Sequence, residues 1–163
     1  MNGLSNKVDA EIIKENIIVK YAKTINACSA IVKKVKGILI AFNESDAEDP
    51  SVGLKSSDWA WKLAHEITHL NNYEDTMYRP DEGAQIIKEK EELTDLLAIR
   101  RYLNEDELLN CYIENCGNVE ETAEDLEVPV NVLQKAFLLF SETSEHFRKR
   151  CVEIHTRYLW AQD

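Results

Sequence analysis

Long apolar runs are missing from this 163-residue chain. No stretch approaches the roughly 18 residues that a membrane-spanning helix needs. Residues 1–15 lack the apolar segment of a secretory leader. Both absences predict a cytoplasmic protein with no membrane association. Cysteine is sparse and scattered. The four, Cys28, Cys111, Cys116 and Cys151, form no C-x-x-C pair. A cysteine zinc site or a thioredoxin-like motif is therefore not expected, and free thiols fit a reducing compartment. Positive charge is also scarce. With 19 Lys and Arg against 30 Asp and Glu, the net charge is −11. That argues against non-specific DNA binding, which depends on basic side chains neutralising phosphates; a basic protein partner remains compatible. There is no internal repeat and no low-complexity segment.

What is present suits one soluble globular domain, or one domain with a small helical appendage: 44% of residues are hydrophobic and 30% charged. Residues 8–27 carry an apolar stripe at Ile13, Ile17, Tyr21 and Ile25, which predicts an amphipathic helix. Residues 29–35 and 38–43 are short, β-branched runs parted by Lys36-Gly37, which predict an antiparallel hairpin. The acidic 44–56 segment reads as a loop, with a short edge strand at Val52–Leu54. Helices are expected over about 58–70, 84–103, 105–115, 119–126, 130–141 and 143–160. The fold class is α+β, mostly helical, with a small antiparallel sheet of two or three strands.

The chain has only four histidines, and two of them stand in His65-Glu66-Ile67-Thr68-His69. In a helix, residues four apart share a face with Cβ atoms about 5–6 Å apart. Two imidazoles so placed can close on one zinc ion, and the Glu between them can act as general base toward a water on the metal. The helix around them is unusual. Leu63, Ile67 and Leu70 mark one side, and Trp61, His65 and His69 occupy the other, where a simple surface helix would carry Lys and Glu. A helix buried on one side and lining a cleft on the other explains both faces. The chemistry implied is metal-assisted hydrolysis, of a peptide bond in the first instance.

A catalytic zinc takes three protein ligands and leaves one position open. The remaining histidines, His146 and His155, are far along the chain. The third ligand is therefore sought among the glutamates of the 84–103 helix. Glu92 shares its face with Leu96, Ile99 and Leu103, and an acid on an apolar stripe needs a partner such as a metal. Glu91 keeps company with Lys88 and Asp95 and reads as solvated; Glu89 lies near Leu93. Glu92 is favoured, with Glu91 and Glu89 left as alternatives. Tyr73 and Tyr78 follow the motif and are candidate donors to a developing oxyanion, or residues that merely pack the loop.

Three stretches resemble the ImmA/IrrE family of metallopeptidases, small zincins of bacteria and their mobile elements. They are Leu63 to His69, Glu91 to Ala98, and the helix-turn-helix-like Asn118 to Pro129; the likeness spans about residues 10–140. Thr68 stands where the family usually has Gly, Leu93 where Ala is frequent, and the chain reads Tyr102-Leu103-Asn104 where a Pro often closes the second helix. The resemblance implies a minimal zincin domain over 1–104 and a helix-turn-helix-like helical tail over 105–163, packed on the first part. It implies Zn2+ held by His65, His69 and Glu92, with Glu66 as catalytic base. It implies cleavage of a protein substrate, a helix-turn-helix repressor, to relieve repression of stress or mobile-element genes. Two other readings compete. One is an inactive zincin that sequesters its target as an antirepressor. The other is a DNA-binding regulator using residues 105–141. Against the latter, the presumptive reading helix Val130 to Phe137 holds one basic residue, Lys135, amid Glu120, Glu121, Glu124, Asp125 and Glu127. The basic cluster Arg148, Lys149, Arg150 and Arg157 reads as a solvated face.

Overall fold

The computed structural model describes residues 3–22, 29–34, 37–43, 56–79 and 81–160. In chain order the elements are α1 (Leu4–Lys14), β1 (Ile17–Ala22), β2 (Ser29–Lys34), β3 (Gly37–Asn43), α2 (Ser56–Asn71), α3 (Tyr73–Thr76), α4 (Ala84–Tyr102), α5 (Glu105–Glu114), α6 (Val119–Asp125), α7 (Val130–Thr143) and α8 (Glu145–Trp160). The chain is mostly helical. No helix among the described residues is long and apolar enough to cross a membrane. The edge strand expected at 52–54 and Cys28 lie outside the described residues.

The single helix expected over 8–27 is two elements. Helix α1 stops at Lys14, Asn16 turns the chain with φ 53°, and Ile17–Ala22 is strand β1. Asn tolerates the left-handed region that most L residues avoid. The β-branched run Ile17-Ile18-Val19 then favours a pleated strand over another helical turn. The three strands are ordered β1-β3-β2. Strands β2 and β3 pair antiparallel, from Ser29↔Phe42 to Lys34↔Gly37. Strand β1 pairs with β3 in parallel, from Ile17↔Ile38 to Ala22↔Asn43. The sheet is therefore mixed rather than antiparallel, because the stretch read as the end of a helix supplies its third strand.

One cluster of buried side chains runs from Leu4 and Val8 of α1, through Trp61, Ala64 and Ile67 of α2 and Ala98 and Ile99 of α4, to Leu109, Leu133 and Phe147. The four C-terminal helices thus close onto the same core. Local signals set their boundaries. The Asn104 side chain accepts from the backbone N–H of Asp106 and Glu107, and Asn118 does the same for Glu120 and Glu121. These caps satisfy N–H groups that the first turn leaves without an internal partner. Gly117, at φ 81°, supplies the left-handed turn between α5 and α6. Ala123, Leu126, Val128 and Leu133, which carry the helix-turn-helix spacing, are all buried.

Two carboxylates tie α1 to the rest. Glu127, in the α6–α7 turn, accepts from the Ser5 backbone N–H at 2.7 Å, at the start of α1. Glu11 accepts from the Tyr102 hydroxyl at 2.6 Å and from Asn71 at 3.1 Å, and it pairs with Arg101. It therefore joins the C-terminal ends of α2 and α4. Burial pushes the Glu11 carboxyl up, but the hydrogen bonds from Arg101, Tyr102 and Asn71 outweigh it and hold the group below its ordinary 4.5. A carboxyl lowered in the folded state contributes stability that is present above its unfolded value and lost as pH falls through the folded value. Chemical denaturation against pH is thus expected to show stability draining below about pH 4.5, and Glu11→Gln is expected to flatten part of that slope. At neutral pH, Glu11→Ala is expected to cost about 1–3 kcal/mol, because the buried Tyr102 hydroxyl loses its acceptor.

Candidate metal centre

Helix α2 is buried around most of its circumference. Ala60, Trp61, Leu63, Ala64, Ile67, Thr68 and His69 are all buried. The side of α2 that carries His65 and His69 meets α4, so the cleft-lining side expected there is, at the two histidines, a helix–helix contact with an ionisable cluster in it. Thr68, in the place of a Gly, fits without strain: it is fully buried and its hydroxyl donates to the Ala64 carbonyl at 2.8 Å.

His65 and His69 turn their Nε2 atoms toward each other, 3.1 Å apart. Helix α4 completes the triangle with Glu91. Its Oε2 lies 3.0 Å from His65 Nε2 and its Oε1 lies 3.4 Å from His69 Nε2. Among the described residues, His65, His69 and Glu91 form the one group of three side chains whose ligand atoms converge in a metal-holding arrangement. The spacing can be tested against a zinc ion. Ligands at roughly 2.0–2.1 Å in tetrahedral directions are separated by about 3.3–3.4 Å. The separations of 3.0, 3.1 and 3.4 Å are close to that, the first from Glu91 Oε2 and the last from its Oε1, so a small divalent cation fits between the two imidazoles and the carboxylate with modest side-chain adjustment. No fourth protein ligand joins the group among the described residues.

The opposite ring nitrogens are also committed. His65 Nδ1–H donates to Asp95 Oδ1 at 2.9 Å. The Thr94 hydroxyl donates its only proton to the Lys90 carbonyl at 2.8 Å, so its oxygen is left to accept from His69 Nδ1–H, 3.3 Å away. Both imidazoles are thereby held by Nδ1 and turn Nε2 toward the Glu91 carboxylate. A ligating histidine usually has such a partner behind it, which fixes its tautomer and aim. Electrostatics agree. Burial would lower the His65 pKa, but the hydrogen bonds and charges of Asp95 and Glu91 raise it to about 9. The hydrogen bonds from His65 and His69 pull Glu91 down to about 2 despite its partial burial. Without metal, His65 is an imidazolium wedged between two carboxylates, and a divalent cation takes the place of its proton.

The third residue of the group is a correction. Glu92 was favoured from the periodicity of α4, but it points outward, 59% exposed, and pairs with Lys88 at 3.7 Å. The reason lies in the helix itself. Leu93 and Leu96 are exposed, so the leucines do not mark the inner face. The inner face is Thr94, Ala98, Ile99 and Tyr102, and Glu91 lies on it, one turn before Asp95. The spacing Glu91, Asp95, Ala98, Tyr102, at i, i+4, i+7 and i+11, was the available signal. Glu89 accepts from Gln85 at the surface. Glu66 follows His65 on α2, and it lies near enough to Tyr78 for their charges to interact. Of the two tyrosines, Tyr78 is beside the site. Its ring stands edge-on to His69, centroids 6.4 Å apart, and burial followed by the charges of Glu91 and Glu66 raises its pKa. Tyr73 is half exposed on α3.

These positions predict a sharp difference between neighbouring glutamates. Glu91→Ala is expected to weaken zinc binding by more than about 100-fold, the upper end of the loss seen when only a residue behind a ligand is removed. Glu92→Ala should leave it unchanged. Competition against a chromophoric chelator reads both. No protein-family model matches the chain, and neither a curated protein nor a solved structure matches it significantly.

Proposed function

We propose that this chain is a zinc-dependent endopeptidase of the ImmA/IrrE kind, acting on a helix-turn-helix repressor. The observation that carries the reading is the convergence of His65 Nε2 and His69 Nε2, 3.1 Å apart, on the Glu91 carboxylate, whose Oε2 and Oε1 lie 3.0 and 3.4 Å from them, with Glu66 beside them on the same helix. Two imidazoles and a carboxylate are the donor set of many hydrolytic zinc sites. A bound zinc ion supplies Lewis acidity toward a carbonyl oxygen and lowers the pKa of a coordinated water to about 7.

The chain's own residues do the rest. Glu66 takes the proton of the attacking water and passes it to the leaving amine, which makes it base and then acid. Asp95 and Thr94 keep the two imidazoles aimed. The phenol of Tyr78 stays protonated in the field of Glu91 and Glu66, and serves as a hydrogen-bond donor to the oxyanion that develops on the scissile carbonyl. The DNA-binding alternative loses ground on one contact. Lys135, the one cation of the presumptive reading helix, is paired with Asp95 on the side facing the metal centre. The repressor as substrate rests on the sequence resemblance.

The test begins with metal analysis of the purified protein, where about one zinc per chain is expected. Zinc-loaded protein is then incubated with helix-turn-helix repressors encoded near it, and the products are read by mass spectrometry. Glu66→Gln should keep its zinc and lose about 10²–10⁴-fold in cleavage rate. Cleavage at the wild-type rate in that variant sinks the base assignment. Tyr78→Phe should lower kcat by about 10²-fold with zinc content unchanged. Zinc bound but no repressor cut, with the repressor retained in a complex, would replace the peptidase with the sequestering zincin.

A further inference from the structure

We propose that Lys135, on α7, is a positioning residue for the metal centre, acting through Asp95 on His65. The inference rests on the metal-binding part of the reading above and not on peptidase activity. Asp95 divides its two oxygens between different elements: Oδ1 accepts from His65 Nδ1 at 2.9 Å, and Oδ2 pairs with the Lys135 ammonium. A carboxylate held at one oxygen can rotate and shift along its side chain. Held at both, it presents Oδ1 to the imidazole from one direction. Asp95 is only 19% exposed, whereas Lys135 is 43% exposed. The lysine therefore reaches in from the surface of α7 to a carboxylate that is already committed behind a ligand.

The surrounding packing makes the contact a property of the fold rather than of two loose side chains. Helices α4 and α7 pack together, with Ala98 and Ile99 on one and Val132, Leu133 and Ala136 on the other fully or almost fully buried. Lys135 stands in the middle of α7 and Asp95 in the middle of α4. An exposed ion pair by itself contributes little to stability. Its value here is directional, since ligating histidines depend on the group behind them for orientation and basicity. The C-terminal helices are thus more than support: one of them supplies a side chain to the outer layer of the metal site.

The test is a double-mutant cycle on zinc affinity, read by competition with a chromophoric chelator, using Lys135→Met, Lys135→Arg, Asp95→Asn and the Lys135→Met/Asp95→Asn pair. Asp95→Asn should weaken zinc binding by about 10–100-fold. Lys135→Met should weaken it by about threefold, the scale of a partly exposed pair, and Lys135→Arg should restore most of the loss. In the Asp95→Asn background, Lys135→Met should do nothing further. Thermal melting in excess chelator should be the same for wild type and Lys135→Met, which separates a positioning role from a purely structural one. Unchanged affinity in Lys135→Met, an equal loss in the Asp95→Asn background, or a lowered melting temperature in chelator that accounts for the affinity change would each overturn the proposal while leaving the metal site standing. A wild-type chain that binds no zinc would overturn both.

Discussion

The site depends on one constraint: both imidazoles must expose Nε2 to the same point, and they do so because α4 claims both Nδ1 atoms. Four-residue spacing on α2 brings the rings together, but it does not aim them. Aim comes from Asp95 behind His65 and Thr94 behind His69, two successive residues of α4. The same helix, one turn earlier, contributes Glu91. A single helix–helix contact therefore supplies a candidate ligand and the orientation of two more.

That arrangement explains why α4 has an unconventional inner face. A helix that only packs would bury a leucine stripe. Here the buried positions are Thr94, Ala98, Ile99 and Tyr102, and two leucines are left exposed. Small and polar residues let α4 approach α2 closely enough for side-chain oxygens to reach imidazole nitrogens at 2.9–3.3 Å. Partly burying two carboxylates and two imidazoles is tolerable because each compensates another. Glu91 and Asp95 hold a proton on His65, and that proton marks the place where a cation would stand.

The rest of the chain holds this contact together from outside. Glu11 of α1 joins the ends of α2 and α4 through Asn71, Arg101 and Tyr102. Glu127, in the α6–α7 turn, anchors the start of α1. Lys135 reaches Asp95 from α7. Elements distant in sequence thus meet on the α2–α4 pair, and one buried cluster extends from Leu4 to Phe147.

The long helices from 56 onward could be read from breaks and apolar spacing, because those signals are local, as at Gly117; the four-residue α3 fell in a stretch read as turns. His65, Glu66 and His69 were equally plain, since the i, i+4 relation is a property of one helix. Strand β1 was not, because the apolar positions of 8–27 fit a helical period and only pairing with β3 resolves them as strand. Nor was Glu91. Choosing among Glu89, Glu91 and Glu92 requires knowing which side of α4 meets α2, and the leucines pointed to the wrong side. By itself the sequence determined that two imidazoles and a glutamate share one helix and that a second acidic helix follows. Only the tertiary packing decided which of that helix's acids faces the imidazoles, because a hydrophobic stripe reports burial against a core and not proximity to a polar site.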